Sequence, residues 1–532
     1  MRKPDDNHEI TVAIIGSGMA GLVAGYLLNG DQDHRFDVQV FEMQDKLSLD
    51  SASITVPSEN GMGIRVDLPM RAFAGGFYSN LRRMYQYLGV KYIPIQFLFP
   101  LSKTPISRSR KASPISDQGR KDDDGQEIVD DVDIIPSEPY FIHSSNNHRI
   151  PPVRPEHMGI WDWATEFVYL VFCFTWYTLC CFFIPPYSSR SQYQTASSPA
   201  GATKLEETSL SEPLGEYLQR IRLPTYFTQN YIIPQFSAVT TCSHEALLKF
   251  PAKDLIEYAT QTFNVPYYVV QGGVNVVQKK LAEGLNIQLN SRVISVESHS
   301  DSSGSPSKVR VSYRIGREGT LYQKYFDHVI MAVTPDVVGA IFQPLRSTMT
   351  QVPTTTVESV VHNDVSSLCA LSQTSLSDNT EGKVAADGCS RSPSSSSSSL
   401  SSSSPPRPET QVIHVRSSPA GLTEAVHECA ASVLVTTVPI TPIDPSKIIH
   451  RTRFTRVLRT PQSKEVVNRI FGSGSVAGGT PVKGHQWQNG NGNVWLVGGW
   501  CWDGMVLLEG CVVSAMRVAD ALGVYVPWRS VA

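Results

Sequence analysis

A chain of 532 residues is long enough for two to three domains of about 150 residues, and its apolar content allows a sizeable core. Its 46 basic and 49 acidic residues leave a net charge of −3, which gives no general electrostatic drive toward nucleic acid. Nine cysteines without a CxxC pair, and His244-Glu245 and His427-Glu428 each without a second histidine, exclude a disulfide framework, a structural zinc site and an HExxH centre, so no metal is expected.

The polar start MRKPDDNHE reads as neither a signal nor a transit peptide, and no Asn-x-Ser/Thr sequon occurs, so an intracellular protein is expected. Residues 11–15 are β-branched and apolar, the pattern of a strand buried on both faces, and Gly16-Ser17-Gly18-Met19-Ala20-Gly21 follows without a gap. Residues 19–28 then read as a helix that stops at Gly30. In this order Gly16 permits a tight turn, Gly18 lets a pyrophosphate approach the backbone, and Gly21 lets helix and strand pack closely. A second strand, 37–41, ends at Glu42, 21 positions after Gly21. That is close to the offset of about 20 expected for a carboxylate on an adenosine ribose. Strand, turn, helix, strand and acid agree on a dinucleotide. NAD and FAD present the same ADP half, so the motif does not choose between them.

Residues 102–133, 187–212 and 364–410, the last culminating in SPSSSSSSLSSSSPP, are too polar to offset chain entropy and are expected to be disordered surface insertions. Between the first two lies FVYLVFCFTWYTLCCFFI, residues 167–184, with no charge across 18 positions. That is the lower limit for a membrane span. A single crossing would part residues 11–42 from 493–523, which must join in one nucleotide domain. Two readings survive: a buried or groove-lining helix, and a helix that dips into one leaflet. Trp161, Trp163, Trp176 and Tyr177 suit an interface or a core, and the leaflet reading is slightly favoured.

From Pro213 the pattern turns helical. Gly272-Gly273 opens a helix over 274–281, and 287–293 reads as one strand. Val309, Val311 and Tyr313 alternate as in a half-buried strand, and further strands cover 326–333 and 433–437 before the arginine-rich RTRFTRVLRTP. Residues 493–523 give a strand, the pair Gly498-Gly499, an aromatic loop, and an amphipathic helix stopped at Gly523. A plain NAD domain has no need for this second glycine turn at a second helix N-terminus.

Six ordered blocks resemble the FAD-binding flavoproteins related to amine oxidases and phytoene desaturases: IIGSGMAGLVAGYLL with VQVFE; VDLPMRAFAGGFYSNLRRMYQYLGV; YIIPQFSAVTTCSHEALLKFPAKDL; VVQGGVNVVQKKLAEGLNIQLNSRVISVE; FDHVIMAVTPD; and GNVWLVGG with LLEGCVVSA. The resemblance implies an α/β fold. A Rossmann-type FAD domain is assembled from 9–100, 271–345 and 485–525, with an interleaved α+β substrate domain comprising a mainly helical part, 134–270, and a sheet, 411–470.

It also implies roles. Gly16, Ser17, Gly18, Ala20 and Gly21 form the pyrophosphate turn, Glu42 holds the ribose, and Val293 meets the adenine through its backbone. Gly498 and Gly499 approach the ribityl chain, and the helix starting at Leu508 and Glu509 aims its dipole at the flavin pyrimidine. Trp500 and Trp502 are candidates for a substrate wall, with ordinary packing as the competing role. Cys501 is misplaced for a covalent flavin link, so non-covalent FAD is expected, and Asp503 is expected in solvent at the loop tip. Two departures stand out: Leu47-Ser48-Leu49 replaces the family's glycine pair, and Gly499 replaces an acid common in the superfamily.

The function implied is an FAD-dependent oxidoreductase moving a hydride from a C–N or C–C bond to flavin. The chemistry resides in the cofactor, so no nucleophilic triad is required. The partner is a small substrate, lipophilic if the apolar helix borders a membrane, with no nucleic acid. The expected location is cytoplasmic or peripheral to a membrane. The rivals are a non-catalytic flavin-binding or membrane-associated interaction protein, and an NAD-linked dehydrogenase, against which the C-terminal segment argues.

Overall fold

The computed structural model describes residues 9–57, 63–104, 106–108, 133–135, 138–145, 158–187, 211–298, 308–316, 319–366, 368, 409–472 and 487–531. The serine tract lies outside them.

Five strands form a parallel sheet in the order Asn286–Gln288, Phe36–Phe41, Ile10–Ile15, His328–Met331, Val494–Leu496. The register runs straight through it, with Ile14 opposite both Val40 and Ile330. The continuous apolar run at its centre follows from burial on two sides. Val12 and Ile14 belong to the core beneath the helices Met19–Asn29, Val274–Ala282 and Leu508–Ala521, whereas Ala13 and Ile15 pack under a three-stranded meander. That meander comprises Ser291–Ser298, Val309–Ile315 and Leu321–Phe326. The Rossmann-like architecture read from the glycine turn is therefore present, assembled from both ends of the chain.

The second body is a nine-stranded sheet in the order Ile448–Val457, Thr354–His362, Leu434–Thr437, Thr423–Glu428, Glu409–Ser417, Tyr92–Lys103, Tyr267–Val270, Phe73–Ala74, with Phe141–Ser144 also paired to Tyr92–Lys103. Its pairings are antiparallel except where Glu409–Ser417 runs parallel to Tyr92–Lys103.

Several sequence expectations change here. Residues 9–100 do not all join the nucleotide sheet, because Tyr92–Lys103 crosses into the second one. The span 134–270, expected to be mainly helical, gives that sheet two strands. The expected strand 287–293 breaks at Asn290, whose φ of +52° turns the chain out of the parallel sheet and into the meander. The margins of the three expected insertions are ordered. Ser102 and Lys103 pair with Arg416 and Ser417, and Ile106–Arg108 pairs with Asp133–Ile135. Glu212 is buried and accepts from the Tyr187 amide at 2.8 Å and from Arg220 Nε at 2.7 Å. Asp364 is buried and accepts from the Asp444 amide at 2.9 Å. Polar composition pointed to solvent, but partners distant in sequence hold these edges.

The apolar run is a 24-residue helix, Ile160–Phe183. Leu170, Cys173, Tyr177, Cys180 and Cys181 are buried against the body, while Trp161 (83%), Phe172 (71%) and Phe183 (77%) are exposed. Among the described residues it is the one helix long and apolar enough to cross a membrane.

Candidate functional site

The two bodies enclose a cavity of about 870 Å³. Its floor carries Gly18, Met19 and Ala20 from the first helix N-terminus, Gly498 and Gly499 from the second glycine turn, and Leu507, Leu508 and Cys511 from the last helix N-terminus. Neither helix start has an N-cap side-chain bond, so each turns first-turn amides toward the cavity, and at the first helix the Ala20 amide meets the Cys511 thiol.

The glycines serve different needs. Gly16 sits at φ +101° with the Ala332 carbonyl 2.7 Å from where a Cβ would stand, and a Cβ on Gly21 would meet the Gly16 carbonyl oxygen at 2.0 Å. These two close the turn on itself. Gly18 has an ordinary φ of −70°, and the nearest atom to an added Cβ is Ser48 Oγ at 3.8 Å. Its backbone does not require glycine. The missing side chain instead keeps open the space in front of the helix, where a diphosphate would lie.

Ser17 and Glu42 lie behind the turn, off the cavity wall. The Ser17 amide and hydroxyl donate to Glu42 Oε2 at 3.1 and 2.5 Å, and the Gln44 amide donates to Oε1 at 3.0 Å. Oε1 therefore keeps acceptor capacity for a ribose hydroxyl. Ser48, in the place of the expected glycine pair, donates its amide to Ser17 Oγ at 2.8 Å and lines the cavity beside Gly18. Val293 is buried in the meander strand that starts beside the acid, where the Ser291 amide donates to the Glu42 carbonyl at 2.8 Å. A Cβ on Gly499 would lie 3.0 Å from the Leu507 carbonyl oxygen, so this turn packs closely on the start of the last helix.

The Glu509 side chain and one of the two candidate wall tryptophans are engaged elsewhere. Glu509 does not face the cavity. Its carboxylate caps the helix Ser79–Tyr87, with Oε1 accepting from the Asn80 amide at 2.9 Å and Oε2 from the Leu81 amide at 3.0 Å. Burial raises its pKa against these hydrogen bonds. Only the helix backbone at Leu508 and Glu509 can serve a cofactor. Trp502 is not a cavity wall. Its indole packs edge-on against Phe77 and donates to the Met505 carbonyl at 2.8 Å, because Gly504 and Gly510 leave a slot for it. Trp500 does line the cavity, but it is buried, with its N–H fixed on the Val333 carbonyl at 3.1 Å. Cys501 is buried in the core behind it, and Asp503 is exposed and pairs with Arg517 at 3.1 Å.

Three arginines matter that their sequence surroundings did not announce. Arg459 is buried and donates from Nη2 to the carbonyls of Trp500 (3.3 Å), Trp502 (2.8 Å) and Gly504 (3.2 Å), so it shapes the aromatic loop. Arg71 and Arg456 line the cavity, and burial lowers the pKa of each. Arg71 Nη2 donates to the Leu49 carbonyl at 2.7 Å, and its Nε is buried without a partner. The rest of the wall is largely apolar and aromatic, with Phe97, Phe99, Phe174, Phe236, Phe263 and Phe454. His427 also lines it, with Nδ1 buried and unpartnered, and burial pushes its pKa down to about 4.

Residues 14–88 match the model of an NAD(P)-binding Rossmann-like domain, and residues 187–522, more than half of the chain, match that of flavin containing amine oxidoreductases. The chain belongs to the flavin containing amine oxidoreductase family. A search of curated proteins found no match. Among solved structures, a CLA-producing fatty acid isomerase from P. acnes superposes with a TM-score of 0.51 at 11% identity, covering 97% of this chain and 99% of that one. At that identity the likeness is one of fold. Membership in a flavin-containing family matches the two helix N-termini and two glycine turns that meet in one cavity.

Proposed function

We propose that this chain is an FAD-dependent oxidoreductase that binds its cofactor non-covalently and removes a hydride from a C–N or C–C bond of a lipophilic substrate. The observation that carries this reading is the convergence of two uncapped helix N-termini on one cavity, with Gly18 open in front of the first. Gly18, Ala20 and Arg71 would hold the diphosphate, Glu42 the ribose, and the Gly498-Gly499 turn the ribityl chain. The amides at Leu508 and Glu509 would face the pyrimidine, where negative charge develops on reduction. When bound, FAD supplies the hydride acceptor.

The protein's own part is orientation and exclusion of water. Among the described residues no Asp, Glu or Lys lines the cavity, and the phenylalanines of its wall would keep a reacting C–H in a dry surround. Arg459 holds the aromatic loop, and Trp500 with it, against the site. Oxidation, desaturation and isomerisation all suit this scaffold, and fold does not select among them.

The apolar helix supports a lipophilic substrate. Phe174, Tyr177 and Thr178 line the cavity while Phe172 and Phe183 point outward. One helix thus lies between the site and an exposed apolar face, which fits contact with a single leaflet. Anaerobic mixing of the purified protein with amines, fatty acids and polyenes tests the enzyme reading. Bleaching of the flavin by one class supports it, and a flavin that no class reduces favours the non-catalytic alternative.

A further inference from the structure

Among the described residues the cavity is lined by two arginines and no carboxylate, a cationic set inside an apolar wall. Arg71 stands beside Ser48, Leu49 and Cys511, close to the open Gly18, and Asp67 and Asp50 are among its electrostatic neighbours, with the diphosphate of the proposed cofactor as a further anion. Arg456 is not accounted for in this way. It reaches the cavity from the strand Ile448–Val457 of the second sheet, and among the described residues its one hydrogen bond runs from Nε to Thr241 Oγ1 at 3.1 Å. Its main electrostatic neighbours are Tyr78, Arg71, Cys242 and Cys511, none of them a carboxylate, and its guanidinium lies 5.7 Å over the Phe454 ring.

A guanidinium stays charged when buried, and leaving it without an anion is costly. Neighbouring arginines on the same strand have found acids: Arg451 and Arg453 pair with Glu358 at 2.6 and 2.9 Å. The planar fork of Arg456 is suited to a bidentate oxyanion. A single cation beside a site whose other arginine serves the cofactor matches a monoanion better than a phosphate dianion.

We propose that Arg456 holds the carboxylate of an amphiphilic substrate, whose apolar body lies along Phe454, Phe236 and Phe174 toward the apolar helix. This rests on the oxidoreductase reading for the placement of the cofactor, and it adds the chemical class of the substrate. Val239 and Phe263 line the cavity and are also exposed at its margin, so an apolar tail has a continuous path from site to surface.

The test is titration calorimetry of the full-length protein with dodecanoate, methyl dodecanoate and dodecylamine, with flavin content measured on each sample. Wild type is expected to bind dodecanoate in preference to the ester and the amine. Arg456→Gln should weaken dodecanoate roughly ten- to a hundredfold, the range of a charge-assisted pair, with flavin content unchanged. Arg456→Lys should recover part of that loss, which separates charge from packing if the glutamine variant folds poorly. Equal binding of acid, ester and amine by wild type, or of dodecanoate by Arg456→Gln, would overturn the assignment. So would a glutamine variant that keeps its preference for the acid while its flavin potential shifts, because Arg456 would then serve the reduced cofactor. Flavin-free wild type that still selects dodecanoate would defeat the cofactor reading and leave this one standing.

Discussion

The two sides of the cavity are built on opposite principles. On the side of the parallel sheet, backbone does the work: Gly16, Gly18 and Gly21 act by what they lack, and two helix N-termini offer amides without a capping side chain. On the side of the second sheet, side chains do it: Arg456, His427, Phe97, Phe99 and Phe454 project from strands that meet only in the folded sheet, and Phe174 and Phe236 join them from helices. A backbone site tolerates almost no substitution at its glycines and is written in adjacent residues. A side-chain site can be retuned residue by residue and is scattered along the chain. Substitutions on the two sides should therefore separate cofactor binding from everything else.

The sharpest separation comes from Gly18→Val. The branched side chain fills the space in front of the helix while touching little protein, so flavin content should fall to near zero with the thermal midpoint close to that of wild-type apoprotein. A variant that retains its flavin would remove the diphosphate from this turn. Next in size is Arg459→Met, which strips one donor from three carbonyls in a buried loop and should cost about 3 kcal/mol in chemical denaturation. An unchanged midpoint would mean that the loop holds itself. Glu42→Ala should weaken FAD by about 1–3 kcal/mol, by loss of charge-assisted ribose bonds, in an equilibrium titration of apoprotein. Equal affinity would leave the acid as a clamp on Ser17 and Gln44 alone.

The smallest effect is on pH dependence. His427 is held at about 4 when folded against 6.5 when free, because burial disfavours its charged form. As pH falls from 6.5 toward 4 the unfolded chain takes a proton that the folded chain refuses, so stability declines across that window. His427→Gln should flatten this part of the urea-midpoint profile. The same slope in the variant would assign it to other groups.

What could be read from the sequence follows the same division. The strand, turn and helix of residues 10–29 and the acid at Glu42 were legible because each constraint acts within a few residues of the next. Gly498 and Gly499 were legible for the same reason. The cap that Glu509 makes on another helix was not legible, because an acid at a helix start looks alike whether it faces a ligand or caps a neighbour. The helix that it caps begins more than 400 residues earlier. Trp502 turned inward because Gly504 and Gly510 made room, a packing outcome that spacing does not encode. Arg456 was hidden in an arginine-rich stretch where only sheet register separates the residue facing the cavity from those facing Glu358. Tyr92–Lys103 escaped the domain division because its partner Glu409–Ser417 lies some 300 residues away.

The central claim is that the cavity between the two bodies holds FAD without a covalent bond, and one measurement addresses it. The absorption spectrum of the purified full-length protein should show a bound flavin, and acid precipitation should leave a colourless pellet and FAD in the supernatant. A colourless protein that cannot be reconstituted with FAD would contradict the claim, as would a yellow pellet with no flavin released.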